Sequence, residues 1–151
     1  MKFNSVDEIL DFAISKEEDA ATFYNDLADR MDKKYMKEIF EQFALEEKSH
    51  KAKLQKVKEG KLLLSSQQKV MNLKIAETVE DTRFAEGEFD FQQALIAAMQ
   101  SEKASYRLYT DLAEAADKQE IKEVFESLAI EEAKHKLRFE IEYDDTVLAE
   151  N

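Results

Sequence analysis

The segments ALEEKSH at residues 44–50 and AIEEAKH at residues 129–135 are two copies of one pattern, 85 residues apart. Each contains Glu-x-x-His, which places the glutamate and the histidine about one turn apart on the same helix face. These two histidines are the only ones in the chain. A further glutamate, Glu17 or Glu102, precedes each motif by the same interval. The repeat predicts a shared site of four glutamates and two histidines.

The repeat extends well beyond the motif. Residues 11–54 align with residues 96–139 without a gap, and many positions are identical, including Ala13, Glu17, Tyr24, Asp26, Leu27, Ala28, Asp32, Lys33, Phe40, Glu41, Ala44, Glu46, Glu47 and His50 of the first copy. Apolar residues in both copies recur at the three-and-four spacing of a helix face. Each half is therefore predicted to be one structural unit, an antiparallel helix pair.

The composition points to an all-α fold in one domain. The chain has 151 residues, no proline, two glycines and 37% charged residues. Such a length suits a single domain, here residues 1–151, and abundant Ala, Leu, Glu and Lys favour long helices. We predict a four-helix bundle of two helix pairs joined by a long crossover, the ferritin-like arrangement. The predicted helices are residues 6–31, 34–58, 91–115 and 119–144, and the predicted crossover is residues 59–90.

Cap signals support the predicted helix starts and one predicted end. Ser5 followed by Glu8 forms a Ser-x-x-Glu capping box, and Asp90 followed by Gln93 repeats the arrangement. Gly60 is predicted to end the second helix.

The hairpin geometry brings the candidate site residues to one height. Glu17 and Glu47 lie equally far before and after Asp32, which is near the predicted turn, and Glu102 and Glu132 are similarly placed about Asp117. Packing the two hairpins together then gathers the full set in the core: Glu17, Glu47, His50, Glu102, Glu132 and His135.

Four buried carboxylates require positive charge nearby. Unpaired, each would cost several kcal/mol, and together they would repel one another. Two divalent cations would balance the four negative charges and leave neutral histidine ligands. Two helices giving Glu and two giving Glu-x-x-His form the known pattern of di-iron and di-manganese carboxylate bundles. Oxygen-rich ligands with one imidazole per metal favour iron, with manganese as the alternative, over structural zinc.

Residues near these six receive separate predictions. Tyr24 and Tyr109 fall two turns after the upstream glutamates, so their hydroxyls can hydrogen-bond ligand carboxylates, or else fill the core with the hydroxyl bonded elsewhere. Glu46 and Glu131 point about 100° away from the ligands on their helix and are predicted to be surface charges. Glu18 is predicted to be a surface charge too.

Charge and composition exclude several functions. A net charge of −12 without a basic patch argues against nucleic-acid binding. The absence of cysteine excludes disulfides, thiolate metal sites and Cys-x-x-Cys modules within the chain. The first ten residues lack the apolar core of a signal peptide, and no stretch has the length of a membrane span. We expect a cytoplasmic protein that does not enter a membrane.

The chain resembles the rubrerythrin-like branch of the ferritin-like di-iron family. The resemblance rests on EEDAATFYNDLA (residues 17–28) and SEKASYRLYTDLA (residues 101–113), together with the two Glu-x-x-His segments, and it covers nearly the whole chain. It implies a catalytic di-iron centre bound by Glu17, Glu47, His50, Glu102, Glu132 and His135. It also implies reduction of hydrogen peroxide, and a homodimer.

The chain departs from typical rubrerythrins at two points. Without cysteine it has no rubredoxin-like iron site, so electrons for peroxide or dioxygen would come from a separate donor protein. Rubrerythrins carry an extra carboxylate three residues after the third-helix glutamate. This chain has Ser105 at that position, and Ala20 at the equivalent position of the first half. This loss leaves the usual peroxidase turnover an open question.

Two alternatives to an oxidoreductase remain open at this point. The site could oxidise iron for storage or transfer, although the chain lacks the fifth helix that resemblance to ferritin would suggest. It could also stabilise a structural or interaction bundle without turnover, with the acidic tail at residues 140–151 as partner surface.

Overall fold

The computed structural model describes residues 5–59, 90–116 and 118–150. These residues form four helices: α1 (Val6–Asp29), α2 (Lys34–Glu59), α3 (Phe91–Ala115) and α4 (Gln119–Glu150). Helix α1 packs along α2, α3 packs along α4, and the backbones of the two pairs approach most closely between α2 and α4. The prediction of an all-α four-helix bundle is confirmed. No helix in the described ranges has the length and apolar character of a membrane span.

The predicted helix starts at residues 6 and 91 are also confirmed, each with its cap. The Ser5 hydroxyl accepts a hydrogen bond from the Glu8 N–H at 3.1 Å. The Asp90 carboxylate accepts hydrogen bonds from two backbone N–H groups, those of Gln92 and Gln93, at 3.0 and 3.3 Å. These contacts satisfy N–H groups that have no partner inside the helix.

The helix ends differ from prediction most clearly in α4. This helix continues to Glu150 instead of ending at residue 144, because neither proline nor glycine follows to stop it. Helix α1 ends two residues early, at Asp29, and α2 ends one residue late, at Glu59. The predicted stop at Gly60, the turn residue Asp117 and residues 60–89 of the predicted crossover lie outside the described residues.

The core contains two apolar clusters, one toward each end of the bundle. One includes Ile9, Leu54, Leu112 and Phe125, and the other includes Leu27, Phe40, Leu95 and Phe139. Each draws side chains from all four helices, so both hairpins contribute to both ends of the core. Between the clusters lies a layer of buried charged and polar side chains, in a place where apolar packing would ordinarily be expected.

Candidate metal centre

The buried polar layer consists of the six residues that the repeat predicts. Helix α1 contributes one glutamate and α3 another, while α2 and α4 each contribute a glutamate and a histidine: Glu17, Glu102, Glu47, His50, Glu132 and His135. None of the six is more than 3% exposed. Helix spacing places each Glu-x-x-His pair on the inward face of its helix, so the local fold presents both side chains to the same point.

The six residues form two overlapping groups that could each hold a metal ion. One group is Glu17, Glu47, His50 and Glu132, and the other is Glu47, Glu102, Glu132 and His135. Within each group, one ligand-type atom per residue lies within 4.8 Å of the others. Glu47 and Glu132 belong to both groups, so these two carboxylates lie between two neighbouring cation positions, where they could bridge a pair of ions.

The contacts within the layer follow an approximate two-fold relation between the halves. His50 Nδ1 lies 2.7 Å from Glu132 Oε1, and its counterpart His135 Nδ1 lies 2.8 Å from Glu47 Oε1. His50 Nδ1 also lies 3.4 Å from Glu17 Oε2, and His135 Nδ1 lies 3.6 Å from Glu102 Oε1. Each histidine thus approaches the shared glutamate of the opposite hairpin, and the layer cannot form from one hairpin alone.

Every member of the layer has one buried polar atom without a hydrogen-bond partner. These atoms are Glu17 Oε2, Glu47 Oε1, His50 Nδ1, Glu102 Oε2, Glu132 Oε1 and His135 Nδ1. Buried polar atoms are normally satisfied, and an unsatisfied one costs about 1–3 kcal/mol, more when it is charged. Six such atoms that belong to two compact groups fit cations as their missing partners.

Two buried tyrosines secure the glutamates that belong to one group only. The Tyr24 hydroxyl donates to Glu102 Oε1, and the Tyr109 hydroxyl donates to Glu17 Oε1. Both bonds cross between hairpins. Burial raises the pKa of each tyrosine well above 10, and nearby carboxylates add to the rise, so both hydroxyls keep their protons. Each bond occupies one carboxylate oxygen and leaves the other for a cation.

Glu46 and Glu131 are not the isolated surface charges that their helix angle predicts. Glu131 Oε2 contacts His50 Nε2, and Glu46 Oε2 lies 2.7 Å from His135 Nε2, again across the hairpins. Both glutamates are 36% exposed. Their angle is correct, but α2 and α4 pack side by side, which brings each glutamate against the histidine of the neighbouring helix. Their identity at the 85-residue repeat was a signal for this role.

These outer glutamates determine which ring nitrogen faces the layer. A carboxylate can only accept a hydrogen bond, so the neutral imidazole donates from Nε2 and keeps the lone pair on Nδ1. In both histidines Nδ1 is the nitrogen that points inward and lacks a hydrogen-bond partner. The arrangement is the carboxylate–histidine–metal pattern that fixes ring orientation at metal sites.

Burial and mutual repulsion change the affinity of the layer for protons. Burial raises the pKa of Glu47 well above 4.5, as do the charges of Glu17 and Glu102. Burial and the charges of Glu102 and Glu17 also raise the pKa of Glu132 well above 4.5. For Glu17, burial also acts upward, but contacts with Glu47 and His50 outweigh it and lower the pKa below 4.5.

The two histidines also retain protons to higher pH. Burial alone would lower the pKa of His50, but contact with Glu17 and Glu131 raises it above 6.5. Burial and the neighbours Glu102 and Glu46 have the same opposed effects on His135, with the same upward result. Without metal, protons therefore supply part of the positive charge that the carboxylates require.

One side of the layer borders a surface groove. The groove has a volume of about 370 Å³ and lies between α2 and α4, lined by Ile39, Phe43, Glu46, Glu131, Lys134, His135 and Arg138. Phe43 stacks on the His135 ring with centroids 4.1 Å apart. The second half has Leu128 at the position equivalent to Phe43, so the two halves of the sequence differ here. The groove therefore reaches the layer at His135.

The remaining sequence predictions near the site concern three residues. Glu18 is exposed and lies 3.4 Å from the Lys51 ammonium, as expected for a surface charge. Ala20 is buried and Ser105 is half-buried, one turn after Glu17 and Glu102 respectively. Neither Ala20 nor Ser105 can add a carboxylate, so the buried glutamates of the layer are the four already described.

Comparison with known proteins agrees with this site. The family model described as Rubrerythrin matches residues 8–143 of the chain. This range includes all six residues of the layer as well as both tyrosines and both outer glutamates. No curated protein and no solved structure gives a significant match.

Proposed function

The chain belongs to the rubrerythrin family, and from that membership and its buried Glu/His layer we propose that it is a di-iron oxidoreductase. It reduces hydrogen peroxide or dioxygen with electrons from a separate donor protein. The observation that carries the proposal is the set of six unsatisfied atoms, one from each of the six residues of the layer. No other described group of His, Cys, Asp and Glu has the grouping that could hold a metal ion.

Charge balance supports two divalent ions. Glu17, Glu47, Glu102 and Glu132 contribute four negative charges in a layer shielded from water. Two divalent cations neutralise them and replace the protons that the apo layer retains. Binding of metal and release of protons are therefore coupled, as is usual for sites built from carboxylates and imidazoles.

The ligand types favour iron, with manganese as the alternative. Each cation would meet three carboxylates and one imidazole nitrogen. This donor set suits iron and manganese, whereas structural zinc prefers thiolates or a closed tetrahedral site. Two iron ions held here would supply the two electrons that cleavage of the peroxide O–O bond requires.

The protein's own residues hold the ligands in place and control access. Tyr24 and Tyr109 each donate a hydrogen bond to one oxygen of Glu102 and Glu17. Neither of these two bonds involves the shared glutamates. Glu47 and Glu132 are thereby the carboxylates with freedom to shift as the charge at the site changes. The groove beside His135 admits a molecule of peroxide or dioxygen size.

The electron donor is proposed to be a separate protein because this sequence contains no cysteine with which to build a thiolate iron site. Ser105 in place of the additional family carboxylate makes the reaction with peroxide and the repeated turnover two separate questions. A single oxidation needs only the loaded site, whereas turnover needs the donor as well. The test should measure them separately.

The experiment begins with anaerobic ferrous loading, desalting and elemental analysis of the full chain. About two irons per chain, followed by rapid oxidation when peroxide is mixed with the reduced protein, would support the proposal. Glu47→Gln should abolish the rapid phase, and Glu18→Gln, an exposed neighbour of the site, should leave it unchanged. Two irons that remain inert to peroxide and oxygen would exclude the oxidoreductase, and many irons per chain would indicate storage instead. A chain that retains no metal would overturn the site itself.

A further inference from the structure

Helix α4 carries apolar side chains on its outer face as well as its inner one. Ile130, Leu137, Ile141 and Leu148 are between 45% and 71% exposed. Their spacing of seven, four and seven residues returns to the same side of a helix that turns about 100° per residue. The buried Phe139 lies on the opposite side. The four residues form one outer stripe, about 27 Å long at ~1.5 Å per residue.

Two charged residues complete this stripe. Lys134 and Asp144 are exposed and lie within about 40° of its centre line, at the positions that continue its seven-residue spacing. One is a cation near the start of the stripe and the other is an anion near its end.

The sequence of the stripe is self-complementary when read in opposite directions. The stripe is symmetric in sequence about Phe139. Leu137 and Ile141 each lie two residues from it, and Lys134 and Asp144 each lie five residues from it. Ile130 and Leu148 each lie nine residues from it. An antiparallel copy of the same helix would thus oppose apolar to apolar at four layers. It would oppose lysine to aspartate at the other two.

We propose that the outer face of α4 is a docking surface for α4 of a second copy of this chain. The two helices pack antiparallel about a two-fold axis near Phe139. Such an isologous interface requires one patch to be complementary to itself. The stripe meets this condition because apolar residues oppose apolar residues and lysine opposes aspartate. A partner of another kind would not require matched positions on either side of a centre.

The residues beside the centre do not oppose this pairing. Arg138 would otherwise face its own copy, but its guanidinium lies 2.6 Å from the Glu142 carboxylate of the same helix. Glu140 is likewise in contact with the Lys136 ammonium. Both charges are neutralised within the helix, which leaves Lys134 and Asp144 to determine the alignment.

The surface next to the stripe adds apolar area on the α3 side. Tyr106 is 42% exposed and lines a groove with Leu137 and Ala133. A partner helix over the stripe would also contact this groove. Aromatic residues of this kind are enriched at protein interfaces.

Helix α2 shows that the stripe is not a by-product of the internal repeat. The residue equivalent to Ile130 is Leu45, which is exposed, but Ala52 and Lys56 stand where α4 has Leu137 and Ile141. Of the two repeat-related helices α2 and α4, it is α4 that carries the complete stripe, and Leu45 of α2 provides a matched control.

The test is the mass of the full-length protein in solution over a series of micromolar concentrations. We expect a dimer that Leu137→Lys together with Ile141→Lys weakens on the order of 100-fold. Leu45→Lys should leave the dimer intact. A wild-type protein that remains monomeric throughout, or a dimer that the double lysine variant does not weaken, would overturn the proposal.

A charge exchange tests the alignment and does not depend on the lysine variants being folded. Lys134→Asp and Asp144→Lys each place like charges opposite one another in a homodimer and should weaken it. Mixed together, they oppose aspartate to lysine in both polar layers and should form a heterodimer, visible as an intermediate mass. The chain with both exchanges should dimerise with itself again. Absence of association in the mixture, while both variants retain wild-type helicity, would exclude the antiparallel register.

Discussion

The Nδ1 atom of His50 lies 2.7 Å from Oε1 of Glu132, and neither atom has a hydrogen-bond partner. The two residues belong to different hairpins, and the mirror contact joins His135 to Glu47 at 2.8 Å. A carboxylate oxygen and an imidazole lone pair that face each other both require a proton or a cation between them. The contact between the two halves of the protein is therefore tied to what the site binds, which several measurements can test.

Removing the outer carboxylates should weaken metal binding without removing a ligand. Glu46→Ala and Glu131→Ala each release a histidine Nε2 from its partner, and loss of such support typically costs about 10–100-fold in metal affinity. Glu46→Gln and Glu131→Gln keep an acceptor oxygen but lose the charge, so their loss should be smaller. Competition with a chelator measures the affinity. Glu41→Gln, an exposed residue of α2, should have no effect, and equal affinities throughout would refute the role assigned to the outer pair.

Removal of either buried tyrosine hydroxyl should destabilise the loaded protein. Tyr24→Phe and Tyr109→Phe keep the ring packing but leave a buried oxygen of Glu102 or Glu17 without its donor. We expect a loss of about 1–3 kcal/mol in the free energy of unfolding for each. Tyr35→Phe, at a residue that is 54% exposed, should change it by less than ~0.5 kcal/mol. Denaturant titration of the three proteins decides between these expectations.

The metal-free protein should lose stability as the pH rises above neutrality. Glu47, Glu132, His50 and His135 have pKa values raised by folding, so the folded state binds more protons than the unfolded state. Stability from such groups is complete below their unfolded pKa values, near 4.5 and 6.5, and is lost as the pH rises through the folded values. Glu17, with its lowered pKa, acts oppositely, and its contribution is lost only as the pH falls below 4.5.

The measurement is the unfolding midpoint of chelator-treated protein at mildly acidic, neutral and mildly alkaline pH. For each proton that the folded state binds in excess of the unfolded state, the free energy of unfolding falls by about 1.4 kcal/mol per pH unit. The double variant Glu47→Gln and Glu132→Gln should flatten the decline, whereas a decline of the same slope in this variant would assign the effect to surface charge instead. Metal affinity should change in the opposite direction and increase with pH, because the ligands must lose their protons.

The sequence predicted the bundle and the six buried residues because both follow from periodicity and from an internal repeat. Helix spacing determines which side chains point inward, and equal distances from Asp32 place Glu17 and Glu47 at one height. The contacts of Glu46 and Glu131 were missed because they depend on which helices lie side by side, which spacing along one helix does not specify. The end of α4 was missed because nothing after residue 144 signals a stop or a continuation.

Substitution of a shared glutamate should have opposite effects on the two forms of the protein. Glu47→Gln removes a buried charge that lies close to other carboxylates, and burial together with Glu17 and Glu102 already disfavours that charge. The metal-free form should therefore become more stable at neutral and higher pH, on the order of 1 kcal/mol. The same change removes a ligand from both metal groups, so the loaded protein should bind fewer ions.

Thermal unfolding with chelator and with excess ferrous iron, under anaerobic conditions, distinguishes the two effects. Wild-type protein should gain a large increase in Tm from the metal, since a ligand that binds only the folded state stabilises it, and Glu47→Gln should gain little. Glu18→Gln should match the wild type in both conditions, because its carboxylate lies outside the layer. If Glu47→Gln instead destabilised the metal-free form and gained as much Tm from ferrous iron as the wild type, Glu47 would be a structural hydrogen-bonding residue and not a ligand that a cation completes.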